Sequence, residues 1–239
     1  VRTMSLGPVI VLDRPSLPEN IGMVARAMLN CGLQQLRVVG PPKGWLDSRA
    51  RATASGADLV LDGAQAFATA EEALADRSFV LATTARTRSL TLPVYHPEEA
   101  MAQVIERGAA DGTAILFGTE NSGLDNDVLS RCNAVLNFPT NSDFSSLNLA
   151  QAVLLLGWEW RKTQLGDNGG AVSEPSASQG ELVNFMDRLE RELDARGFFL
   201  TKDLRTNTLR NLRTIFAKSN PTDAELKMLH GVVSALIKR

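Results

Sequence analysis

Short apolar runs that recur between stretches of helical period constrain this chain more than any other feature. PVIVLD, LRVVG, SFVLATTAR, TAILFG and AVLNFP each set branched or aromatic residues side by side with little polar alternation. A strand of that kind buries both of its faces. ENIGMVARAMLNCG has the other period: Ile21, Val24, Ala25, Met28 and Leu29 share one helical face, and Gly32 supplies a stop. PEEAMAQVIERG, the short DNDVLSRC and SLNLAQAVLLLGWEWRK read as helices too, the last with Leu149, Val153, Leu156 and Trp160 facing a core. AQAFATAEEALAD is read as a further helix and DLVLDG as a further strand. Such alternation predicts an α/β fold, a mainly parallel sheet covered on both faces.

The 239 residues allow one domain of ordinary size and a smaller piece. GDNGGAVSEPSASQG, from Gly166 to Gly180, has almost no large apolar residue and reads as a flexible linker that lets the C-terminal part move. Three amphipathic helices come next, in ELVNFMDRLERELDARGFF, TLRNLRTIFAKS and TDAELKMLHGVVSALIKR. Thr222 or Asp223 caps the last, with Glu225 in its first turn. The expected organisation is a main domain over 1–165, a linker over 166–180 and a helical module over 181–239.

Charge and cysteine use narrow the function classes. The formal net charge is -2, so the chain is not a generally basic nucleic-acid binder, and any basic surface is local. Cys31 and Cys132 lie far apart and no Cys/His cluster has zinc spacing, so free buried thiols and no metal are expected. The N-terminus lacks the charge and apolar run of a secretory signal, and the run from Ala152 to Trp158 is too short to span a bilayer. A soluble cytoplasmic protein is the expectation.

In an open parallel sheet, ligands bind beyond the carboxyl ends of the strands. Four post-strand segments are rich in small and polar residues: Arg14 to Arg26, Thr83 to Arg86, Thr119 to Gly123, and Thr140 to Asn148. Topology makes their convergence a candidate site. Neither G-x-G-x-x-G nor a G-x-x-x-x-G-K-[ST] loop is present, so a Rossmann-type nucleotide enzyme is disfavoured. His96, before Pro97, and His230, in the C-terminal module, complete no Ser-His-Asp arrangement. Ser145, Ser146 and Asn148 pose a puzzle, because a helix start needs one capping residue and here are three. Read as a helix start alone, Ser145 or Ser146 is the cap and Asn148 a spare polar residue of the first turn.

PENIGMVARAM, LFGTENSGL and FPTNSDFSSLNLAQAV, in that order and each after a strand, resemble the three motifs of the SpoU/TrmH class of RNA 2′-O-ribose methyltransferases. The resemblance covers Val9 to Lys162. ARTR at Ala85 to Arg88, SSLNLA at Ser145 to Ala150 and the module with LRNLRTIF look most like the TrmJ branch of that class. It implies a SPOUT fold whose C-terminal part is tied in a trefoil knot, which no periodicity could reveal, and a homodimer. It implies S-adenosylmethionine held bent by Thr83, Thr84, Ala85, Gly118, Phe138, Ser145, Ser146 and Leu147, many through main-chain groups where small residues permit close approach.

By the same resemblance Arg26 is the catalytic residue, Asn20 orients it or the nucleotide, Glu120 orders its loop with Asn20 or Arg26 nearby, and Ser146 and Asn148 hydrogen-bond the RNA or Arg26. Arg26 lies opposite Val24 and Met28, so the core does not demand it. Asn20, about one and a half turns earlier, is also placed to cap the helix. The class assigns the arginine as a general base. A guanidinium with a pKa above ~12 is better suited to binding a phosphate and stabilising an alkoxide, and both roles stay open.

RNA contacts are expected from Arg86 and Arg88, and from the module, where Arg196, Lys202, Arg205, Arg210, Arg213 and Lys218 are set against a single acid, Asp203. Lys43, Arg49 and Arg51 add cations after the second strand. The substrate the branch implies is tRNA, at a pyrimidine at position 32 of the anticodon loop. Ribosomal RNA is the alternative, and a non-catalytic RNA-binding dimer the alternative of another class.

Overall fold

A computed structural model describes residues 7–84, 92–107, 110–165 and 176–237, apart from the side chain of Lys202. Seven strands form one sheet: β1 (Val9–Asp13), β2 (Leu36–Val39), β3 (Gln65–Phe67), β4 (Phe79–Thr83), β5 (Val94–Tyr95), β6 (Thr113–Phe117) and β7 (Ala134–Leu136). Their order is β3-β2-β1-β6-β4-β7-β5, and every adjacent pair is parallel. The helices are α1 (Pro18–Asn30), α2 (Ser48–Ala54), α3 (Asp58–Asp62), α4 (Ala70–Leu74), α5 (Pro97–Glu106), α6 (Asn126–Leu129), α7 (Leu149–Leu165), α8 (Gln179–Ala195), α9 (Lys202–Ser219) and α10 (Asp223–Ile237).

The continuous apolar strands follow from burial on both faces. Phe79, Leu81, Ile115 and Phe117 point into one core, completed by α1, α5 and α7. Their neighbours Val80, Ala82, Ala114 and Leu116 point into the other, under α4 and α6. On α7, Leu149, Val153, Leu156 and Trp160 are all buried, and α1 buries Ile21, Val24, Ala25 and Met28.

Two readings of the middle of the chain need correction. DLVLDG is not a strand: Asp58–Asp62 is α3, with Val60 and Leu61 buried and Leu59 exposed. An apolar run of this length does not distinguish strand from buried helix. The strand lies instead at β3, inside the segment read as one helix, of which only Ala70–Leu74 is helical. β3 is an edge strand with two of its three residues exposed, so it carries no apolar signature. The short α2 and β5 had no sequence reading.

A third core, around Leu182, Phe185, Met186, Ala217, Leu226 and Val233, holds α8, α9 and α10 together. Ser178 caps α8, accepting from Glu181 N at 3.3 Å while its own N–H donates to Glu181 Oε2 at 3.1 Å. The helix therefore starts at Gln179, within the stretch read as linker. Thr222 caps α10 in the same way with Glu225.

Candidate active site

The β1–α1 connection begins the site. Arg14 takes a φ of 49°, the left-handed region, and donates to the buried Asp13 carboxylate at 2.8 Å. Leu17 stands at the N-cap of α1 without a side-chain cap, and Pro18 opens the helix. Asn20 is therefore not the cap. It is buried, and its Nδ2 donates across the chain to Glu120 Oε1 at 2.7 Å. Ser16 N donates to Glu120 Oε2 at 3.1 Å. Burial would raise the Glu120 pKa, but the hydrogen bonds from Asn20 and Ser16 outweigh it and hold the carboxyl below its ordinary value. Glu120 thus ties the β6 loop to the start of α1.

That loop is a tight turn. Gly123 takes a φ of 70° and donates to Thr119 O at 3.0 Å, while Ser122 N donates to Thr119 Oγ1 at 3.1 Å. The turn folds back on Gly118 so closely that a Cβ there would lie 2.3 Å from the Gly123 carbonyl carbon and 2.4 Å from Leu124 N. No larger residue fits.

The third piece is the segment before α7. Asn148 Oδ1 accepts from Ala150 N at 2.9 Å, and Asn148 N donates to Gln151 Oε1 at 3.3 Å. Asn148 is thus the reciprocal cap of α7, and neither serine is. Ser145 and Ser146 turn to a cavity of about 240 Å³ at the carboxyl ends of β4, β6 and β7. Thr83, Thr84, Gly118, Glu120, Phe138 and Leu147 line it with them. Phe117, Leu149 and Ala152 supply an apolar wall that sequence reading missed. Ala152, a small residue one turn into α7, was the available signal.

Other candidates lie elsewhere. Ala85, Arg86 and Arg88 fall outside the described residues. Arg26 is exposed on α1 and is not among the residues lining the cavity; among the described residues it has no hydrogen-bond or ion-pair partner. The module's arginines differ. Arg205 pairs with Asp194 at 2.8 Å and with Glu190, Arg210 with Asp127 at 2.7 Å, and Arg213 with Glu190 at 3.6 Å. Arg196 pairs with Glu192. The local excess of cations counted along α9 is thus offset by acids from α8 and α6. Arg49 and Arg51 are likewise paired, with Asp47 and with Asp58 and Asp62.

Both cysteines are free and buried, and burial pushes the Cys132 thiol up to about 12. His96 Nδ1 lies 3.1 Å from Asn137 O, and His230 packs edge-on against Phe185 while Arg188 Nη1 donates to its Nδ1 at 3.0 Å. Among the described residues, no helix is long and apolar enough to cross a membrane.

Residues 7–158 match the model of the SpoU rRNA Methylase family. The chain is 36% identical to the tRNA (cytidine/uridine-2'-O-)-methyltransferase TrmJ of Salmonella typhimurium, over 95% of each chain. The crystal structure of TrmJ from Z. mobilis ZM4 superposes with a TM-score of 0.87 at 44% identity, covering 97% of this chain and 99% of that one. A structure described as giving insight into the 2-OH methylation of C/U34 on tRNA matches with a TM-score of 0.51 at 31% identity, over 66% of this chain and 90% of its own.

Proposed function

The chain belongs to the SpoU methylase family, and on that footing we propose that it transfers a methyl group from S-adenosylmethionine to a ribose 2′-hydroxyl of tRNA. The observation that carries this reading is the cavity at the carboxyl edge, built from three loops around a Gly118 that tolerates no side chain. Its composition fits the cofactor. Phe117, Phe138, Leu149 and Ala152 offer apolar surface to a base, and Thr83, Thr84, Ser145 and Ser146 offer polar groups to the ribose and amino-acid ends. Gly118, Leu147 and, by the family pattern, Ala85 would contribute main-chain contacts.

When bound, the cofactor supplies a methyl group already activated as a sulfonium, so the chain's own task is to orient the hydroxyl oxygen and receive charge as the proton leaves. Arg26 is the group for this. With no partner among the described residues, its guanidinium is placed to meet a phosphate beside the target ribose and the developing alkoxide. Asn20 and Glu120 hold the α1 start against the β6 turn, which sets the direction from which Arg26 approaches. Ser146 faces the cavity and serves the substrate side, while Asn148 acts through its cap, fixing where α7 begins.

The relatives named TrmJ align along nearly the whole chain, module included, and this favours a cytidine or uridine of tRNA over ribosomal RNA; position 32 of the anticodon loop is proposed from the family resemblance alone. The relative described for C/U34 matches only 66% of this chain. We further propose a trefoil knot closed by the loop before α7, a division into catalytic domain, linker and C-terminal module, and a cytoplasmic site of action. Leu154, Leu155 and Trp158 form an exposed apolar stripe on α7, the helix that packs on α1, and this stripe supports a homodimer. Among the described residues, no group of three or more His, Cys, Asp or Glu is placed to hold a metal, and no protein metal is part of the proposal.

The test is transfer of labelled methyl from S-adenosylmethionine to unmodified tRNA, with ribosomal RNA in parallel, followed by mapping of the product. Label on an anticodon-loop ribose supports the reading. Label only in ribosomal RNA replaces the substrate, and cofactor binding with no transfer to either RNA leaves a binding protein.

A further inference from the structure

The C-terminal module is joined to the sheet domain by buried hydrogen bonds. Its foot is a buried side chain of the sheet domain, Asn133, only 4% exposed, just before β7. Asn133 Oδ1 accepts from Val80 N at 2.7 Å and from Gln179 Nε2 at 3.2 Å. Its Nδ2 donates to Ala217 O at 2.7 Å and lies 3.1 Å from the amide of Asn220. One amide thus joins β4, the first turn of α8, the last turn of α9 and the α9–α10 turn.

A second contact locks the same corner. Gln179 N donates to Arg77 O and Gly180 N to Ala75 O, both at 2.6 Å, so the free amides at the start of α8 meet the free carbonyls after α4. A Cβ at Gly180 would lie 2.9 Å from Ala75 O.

This corner is at the amino end of β4 and β7, opposite the edge where the cavity opens. The direction of α9 connects the two edges. Ala217, near its C-terminus, is bound at Asn133; Arg210, two turns earlier, is bound to Asp127 at the start of α6. Asp125, beside it, reaches Arg14 at the carboxyl end of β1. Going backward along α9 is therefore going from the amino edge to the cavity edge. From Ala217 to Lys202 the helix covers about 22 Å at 1.5 Å per residue. At its far end stands the α8–α9 turn, with Phe198 55% and Leu200 83% exposed and Arg205 stacked over the Phe199 ring at 5.7 Å.

We propose that Asn133 is a positioning residue for methyl transfer. It plants α9 as a rigid strut whose free end presents the Phe198–Leu200 turn to the RNA on the side where the cofactor cavity opens. The proposal rests on the reading of the cavity as an RNA methyltransferase site. An exposed aromatic turn beside arginines suits the unstacked bases of a tRNA loop. The buried amide is what keeps the turn in register with the cavity.

Asn133→Asp retains the acceptor for Val80 N but turns a carboxylate oxygen toward Ala217 O. Gly180→Ala disturbs the corner from the other side and leaves the amide untouched. Both variants of the full chain are compared with wild type for KM toward unmodified tRNA, kcat, and dissociation constant for S-adenosylmethionine. The expected result in both is a KM for tRNA raised roughly tenfold, about one hydrogen bond's worth of docking, with cofactor affinity unchanged. Phe198→Ala should raise the same KM and not the cofactor constant. An unchanged KM in both corner variants overturns the strut while methyl transfer by wild type stands. Parallel loss of cofactor affinity and of melting temperature also overturns it, reducing Asn133 to a fold residue. Absence of transfer by wild type itself is the separate failure of the functional reading.

Discussion

Arg26 and the arginines of α9 carry the same group in opposite circumstances. Arg26 projects from α1 with no partner among the described residues, while Arg205, Arg210 and Arg213 are each tied to a carboxylate. A count of charges along the chain ranks α9 as the basic element. The structure ranks it differently: its guanidinium groups already satisfy Glu190, Asp194 and Asp127, and each must exchange an internal acid for a phosphate to bind RNA. Of these four arginines, Arg26 alone has no such acid to leave among the described residues. On the proposed function the unpaired Arg26 serves the reaction, while the ion pairs of Arg205 and Arg213 join α9 to α8 and that of Arg210 joins it to α6.

The sharpest way to break this contrast is to remove each side in turn. Arg26→Ala should lower kcat by about 10²–10³-fold, the loss of one donor to a developing oxyanion, with the cofactor still bound. Calorimetric titration of cofactor into the variant, beside single-turnover assays, checks both halves, and normal turnover would falsify the assignment. Next in size is Gly118→Ala. Its methyl group, 2.3 Å from the Gly123 carbonyl carbon, displaces the β6 turn, so cofactor affinity should fall by roughly 5- to 150-fold, the equivalent of overpacking costs of ~1–3 kcal/mol.

On the other side, replacing Arg205, Arg210 and Arg213 together by Ala should weaken tRNA binding and flatten its salt dependence. Because these groups begin in ion pairs, the slope of log K against log salt should change by less than about 2.7, the full value for three phosphate contacts. A change of that full size would mean that the pairs open freely and that the contrast with Arg26 is false. Filter binding across a salt series decides it.

The smallest effect is electrostatic. Glu120 has a folded pKa below its ordinary value of 4.5, so its ionised form adds stability above that value. The contribution disappears as pH falls through the depressed folded pKa. The melting temperature of wild type should exceed that of Glu120→Gln at neutral pH, and the gap should close in acid. A gap that persists at the lowest pH would remove the carboxylate as its source.

The order of motifs and the apolar strands made the parallel sheet and the carboxyl-edge site legible in one dimension. β3 was not legible, because an edge strand with exposed residues has no apolar pattern to read. The three polar residues before α7 were legible as a surplus but not as a division of labour. Spacing alone pointed to a serine as the cap, whereas Asn148 caps and Ser145 and Ser146 line the cavity, a choice made by backbone geometry. Asn20 looked like a cap for the same reason and is not one; the resemblance leaves Asn20 or Arg26 as the neighbour of Glu120, and Asn20, 100 positions away, is the one that bonds it.

By itself, the sequence determined the fold class, the family and the edge at which to look, because burial periods and motif order are properties of neighbouring residues. The pairing of the α9 arginines, which polar residue caps α7, and the contacts of Asn133 with the module were decided only in the tertiary structure. Each depends on a partner brought close by folding, and hydrogen bonds and ion pairs are set by distance in space, which spacing along the chain does not encode.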